Sequence, residues 1–178
     1  MQPSPLSGLH RQVWIALLAA LIAVGAFIQI PLGPVPITLQ TFFIVLAGFI
    51  LGSTNGALAM LLYIVAGAIG LPIFAGGKAG FAVLFGPTGG YLIGFIGTAY
   101  LAGFGKRSKG LIIPLVWGLL GLAVVYGIGF LRLKFVLDIS FAKAAAIGIT
   151  PFIPGDIIKV AAATVALQFL RKQGLLPE

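Results

Sequence analysis

Asp156 and Lys159 are ionisable groups at the head of an otherwise apolar run, PFIPGDIIKVAAATVALQFL, from Pro151 to Leu170. Three apart, they share one face of a helix. Insertion scales put Asp or Lys at the centre of a membrane helix at roughly 2.5–3.5 kcal/mol each, so a pair kept there needs a reason. One reason is an internal ion pair at a helix mouth, opened by Pro154 and Gly155, with Asp156 favoured by the N-terminal dipole. The other is a polar grip on a ligand, in which the carboxylate accepts N–H bonds and the ammonium meets an anionic group. Spacing alone leaves both open.

Other polar or aromatic residues stand out against apolar surroundings. Thr38, Gln40 and Thr41 follow two prolines that hold the chain extended. Thr38 reads as a helix cap, whereas the long amide of Gln40 among apolar neighbours needs a partner. Phe74 and Tyr91 can wall an apolar ligand, the phenol adding a hydrogen bond, although packing is the commoner role of aromatics. Lys78 lies in AGGKAG, where glycines leave it mobile, either as a solvated loop charge or as a cation for a ligand. GPTGGY lacks the Lys-Ser/Thr ending and flanking strand of a phosphate loop. An intramembrane hydrolase does not fit, since the chain has no cysteine and its single histidine, His10, precedes the first apolar segment.

The elements that carry these residues must lie in a membrane. The 178-residue chain is 60% hydrophobic and 8% charged, with a mean hydropathy of +1.18, whereas soluble domains carry about 25% charged residues. The formal charge of +8 sits mainly between apolar segments, which fits topology and anionic headgroups and not nucleic-acid binding. One integral membrane domain over residues 1–178 is expected. The first apolar stretch lacks an Ala-x-Ala cleavage pattern and reads as a retained helix.

Six transmembrane helices are expected at about Val13–Ile30, Leu39–Leu51, Ala57–Gly70, Thr88–Phe104, Leu111–Leu131 and Pro154–Leu170, with GSTNG (Gly52–Gly56) as the break between the second and third. Arg11, Lys106, Arg107, Lys109, Arg171 and Lys172 fall on one side, and Lys78, Arg132, Lys134 and Lys143 on the other. The basic excess places both termini in the cytoplasm. Three irregular connections, Pro31–Thr41, Gly70–Tyr91 and Asp138–Asp156, then gather outside and are apolar enough to dip inward. Such backbone at membrane depth lines a cavity or is buried in protein, so these loops are expected to cap a substrate pocket. In the first helix, Ala16-x3-Ala20 and Ala19-x3-Ala23 allow another helix to approach closely, within the chain or from a partner.

Four segments, GPVPITLQT, GLPIFAGG, GPTGGYLIGF and PFIPGDIIK, resemble those of the BioY family in the same order, over roughly Ala16 to Ala163. That resemblance implies an all-α, six-helix, multi-pass subunit of the cell membrane that captures biotin from outside with high affinity, as the substrate-binding component of an energy-coupling factor transporter. It implies a transmembrane coupling protein and two ABC-type ATPases as partners, with ATP used there and no enzyme activity or cofactor in this chain. It places Asp156 and Lys159 in the ligand site, Asp156 at the ureido N–H groups and Lys159 either offsetting Asp156 or meeting a ligand oxygen. Lys78 becomes a candidate for the ligand carboxylate, Tyr91, Gln40, Thr41 and Phe74 become wall residues, and Ala16 and Ala20 the docking face. The rival readings are a self-sufficient proton-coupled transporter and a membrane scaffold subunit without small-molecule affinity.

Overall fold

Apolar runs fold as helices here, and the breaks fall where Gly, Pro or charge interrupts them. The computed structural model describes residues 5–176. Its helices are α1 (Pro5–Phe27), α2 (Gln40–Leu51), α3 (Ser53–Ala68), α4 (Ala82–Phe85), α5 (Gly89–Ala102), α6 (Ile112–Leu137), α7 (Phe141–Gly148) and α8 (Ile153–Lys172). Strands β1 (Gln29–Ile30) and β2 (Ile37–Thr38) form a small antiparallel ribbon before α2. Three helical stretches, Gly8–Phe27, Ile112–Leu137 and Ile153–Lys172, are long and apolar enough to cross a membrane, while α2 and α3 are shorter apolar helices. Exposed Val13, Leu17, Ile93, Leu120 and Val165 present apolar surface suited to lipid, as expected of a membrane protein.

The core is organised around α2, which packs against α1, α3, α5 and α8. Ile44, Val45, Ala47 and Phe49 of α2 are wholly buried, as are Ala99 of α5 and Val160 and Leu167 of α8. Helix α5 lies along α6, where Thr98 donates to the carbonyl of Gly121 at 2.8 Å and satisfies a buried hydroxyl between them.

The structure departs from the sequence reading in its connections. GSTNG is not a loop: Gly52 alone separates α2 from α3, and the other four residues already belong to α3. Its φ of 84° is one that glycine adopts without a steric penalty. Backbone bonds from Gly52 to Gly48 and from Gly56 to Gly52, each 2.8 Å, keep the junction satisfied. Helix α6 runs beyond Leu131 through Arg132 and Lys134, which are good helix formers, and stops at Asp138 in the left-handed conformation. Lys134 is accommodated by the rings of Phe135 and Phe141, 4.5 and 5.2 Å from its ammonium.

Two connections read as irregular also contain helices, α4 and α7. Ser140 caps α7 by accepting from the Lys143 amide at 3.2 Å, and the alanines that follow favour the helix.

The two ends of the bundle differ chemically. At one end, Arg171 of α8 donates to the carbonyls of Ser108 and Lys106, and Gln168 donates to that of Gly110 at 2.8 Å. This fastens α8 to the loop bearing Lys106, Arg107 and Lys109. Lys106 lies below the usual lysine pKa because it is partly buried and stands beside the Arg107 cation. At about 1.5 Å per residue, the 26 residues of α6 carry the chain roughly 40 Å from that loop to Asp138.

Candidate functional site

At the end away from the basic loop, the starts of α2, α5 and α8 converge with the 74–78 turn and the middle of α6. Between them lies a cavity of about 710 Å³ of empty space, its open mouth included. Most of its wall is apolar or aromatic, including Val35, Phe74, Leu92, Phe95, Val125 and Phe152. Asp156, Tyr91, Gln40, Thr41, Phe74 and Lys78 all line it, gathered from positions far apart in the chain.

Lys159 is not among the lining residues. Its ammonium instead donates to Asp156 Oδ1 at 2.7 Å, one turn along the same helix. The ion pair read from the spacing therefore exists, and its carboxylate also faces the cavity. Asp156 is only 4% exposed, so its charge depends on partners rather than on bulk water. The second partner comes from another helix: Tyr126 of α6 donates its phenolic hydrogen to Asp156 Oδ2 at 2.8 Å. Sequence reasoning missed Tyr126. The available signal was a phenol amid the apolar residues of GLAVVYGIGF, because a buried Tyr hydroxyl usually finds a partner.

The other wall residues are held by their own elements. Thr38 accepts from the Gln40 amide at 3.3 Å, but it is not the helix cap expected of it: it ends β2, and the N-cap of α2 is Leu39, which makes no side-chain capping bond. Gln40 and Thr41 are each 3% exposed, and the side-chain Nε2 of Gln40 is buried without a hydrogen-bond partner. Tyr63 stands beside that amide; its hydroxyl hydrogen goes to the Ile73 carbonyl at 3.1 Å, which leaves the phenol oxygen as the nearest acceptor for the amide. Phe74 packs edge-on against Tyr63, with ring centroids 5.6 Å apart.

Two expectations change. The Tyr91 hydroxyl donates to the Gly148 carbonyl at 2.8 Å, so its hydrogen is committed within the protein and the ring is what it offers the cavity. Gly129 makes room for that ring, since a Cβ there would lie 2.4 Å from it. Lys78 sits on a turn closed by backbone hydrogen bonds. Its amide and carbonyl bond the carbonyl and amide of Phe74 at 3.2 and 3.0 Å, closing a tight turn that fixes the backbone and leaves the side chain exposed at the cavity wall.

Ala16 and Ala20 lie apart from this site. Both are exposed on α1, whereas Ala19 is buried, and α1 contributes nothing to the cavity lining.

Comparison with known proteins agrees with this architecture. The BioY family model matches residues 1–174. The biotin transporter BioY of Thermotoga maritima is 46% identical over 151 residues, covering 84% of this chain and 89% of that protein. The probable biotin transporter BioY of Pyrococcus horikoshii is 44% identical over 158 residues, covering 88% and 93% of the two chains. The crystal structure of the S-component for biotin from an ECF-type ABC transporter superposes with a TM-score of 0.89 at 32% identity, covering 99% of this chain and 100% of that one. With a matching family model over nearly its whole length and such relatives across most of it, the chain belongs to the BioY family.

Proposed function

We propose that this chain is the membrane subunit that captures biotin for uptake by an energy-coupling factor transporter. The observation that carries the reading is a buried carboxylate, Asp156, held by Lys159 and Tyr126 and facing a largely apolar cavity. Biotin offers an apolar bicyclic body, a ureido group with N–H donors and a carbonyl, and a carboxylate at the end of a flexible chain. Asp156 accepts from the ureido N–H groups, and Lys159 offsets its charge from behind. Phe74 and Tyr91 pack against the rings, Gln40 and Thr41 supply neutral polar contacts, and Lys78 at the exposed wall takes the ligand carboxylate. Belonging to a family of transport subunits, the chain is not an enzyme and holds no cofactor of its own.

In this reading the whole chain works as a single membrane domain, crossing the bilayer six times through α1, α2, α3, α5, α6 and α8. Both termini and the Lys106–Lys109 loop lie in the cytoplasm, and the cavity opens outward. The exposed small-residue face at Ala16 and Ala20 docks on a transmembrane coupling protein that is joined to two ABC-type ATPases. Reconstitution tests the assignment against a self-sufficient proton-coupled carrier. Biotin uptake into vesicles is expected only with the coupling protein, the ATPases and ATP, and uptake by this chain alone under a proton gradient would contradict it.

A further inference from the structure

We infer that Tyr126 is a positioning residue of the biotin site, acting through Asp156 by fixing which lone pairs of the carboxylate face the ligand; this rests on the biotin reading. Lys159 alone cannot fix them, because it reaches Asp156 from one turn along the same helix on a flexible four-carbon stem. Tyr126 approaches from α6 with a ring set by two side-chain torsions, and it takes the other oxygen at 2.8 Å. The ionised carboxylate has about four acceptor positions. With Oδ1 given to Lys159 and Oδ2 to Tyr126, each oxygen keeps capacity for one further donor.

Asp156 and Tyr126 both line the cavity and Lys159 does not. The spare acceptor capacity is therefore presented with the cation behind and the phenol beside it. The phenol's only hydrogen takes one acceptor position of Oδ2, so Tyr126 has no second hydrogen with which to take another from the ligand's N–H groups.

The test is a double-mutant cycle read by biotin titration. Tyr126→Phe keeps the ring and removes only the hydroxyl. It is expected to weaken biotin binding by about tenfold in the native background and by less than about twofold when Asp156 is already Asn, a coupling of at least about fivefold, or about 1 kcal/mol. The melting temperature without ligand should stay within a few degrees. Equal losses in both backgrounds would show that the phenol acts independently of Asp156 and overturn the inference, as would native affinity in Tyr126→Phe. A Phe variant that does not fold would make the hydroxyl structural, with the same consequence. Failure of the native protein to bind biotin would instead refute the functional reading itself.

Discussion

Asp156 carries two roles that separate by measurement. If it served only Lys159, Asp156→Asn would mainly cost stability, because breaking a buried pair costs about 3–5 kcal/mol, a figure to be discounted here because the Lys159 side chain keeps 14% of its surface in contact with solvent. If it receives ureido N–H bonds, Asn preserves shape and one acceptor but loses the charge, and bonds to charged groups are worth roughly 1.5–3 kcal/mol. The expected outcome is both, a ten- to hundredfold loss of biotin affinity, about 1.4–2.8 kcal/mol, and a lowered melting temperature of the ligand-free protein from the broken Lys159 pair. Gln40 gives a complementary prediction. Its Nε2 is buried and unpartnered, and such a group costs about 1–3 kcal/mol. Gln40→Leu should therefore leave the ligand-free protein as stable or more so while weakening biotin binding, measured by thermal melting and titration of the same preparation. These residues were legible because ions and amides are conspicuous in an apolar sequence. Tyr126 was not, since a single phenol reveals its partner only after α6 and α8 are packed together.

At the scale of elements, the positions of the main helices could be read from apolar runs, but their joints could not. A one-residue break at Gly52 depends on the backbone bonds that bridge it, and α7 depends on a serine cap that looks like any loop serine in sequence. The alanine spacing on α1 was visible, yet which alanines face outward is decided by how α1 packs on α2 and α3. Ala16 and Ala20 are the exposed pair, so a large side chain there does not disturb the core. Ala16→Phe or Ala20→Phe should lower copurification of the coupling protein by about tenfold, some 1.4 kcal/mol of docking energy, while biotin affinity stays near the native value. Normal assembly by both variants would remove this face from the docking surface.

For the whole molecule, charge asymmetry in the sequence matches the two ends that the fold builds: the loop at Lys106–Lys109 is fastened to the end of α8, and the cavity forms at the other end. The cavity's composition was legible only in fragments, because its walls come from segments scattered between Val35 and Asp156. The chain has no cysteine, so single cysteines report topology cleanly. With a membrane-impermeant reagent on intact cells, cysteines at Ser53 and Ser108 should be shielded and one at Ala79 should react; labelling of Ser108 from outside would reverse the orientation. The central claim, that this chain itself binds biotin, is tested most directly by calorimetric titration of the detergent-purified protein. The account predicts saturation at one biotin per chain, and absence of any binding signal at millimolar biotin in folded protein would contradict it.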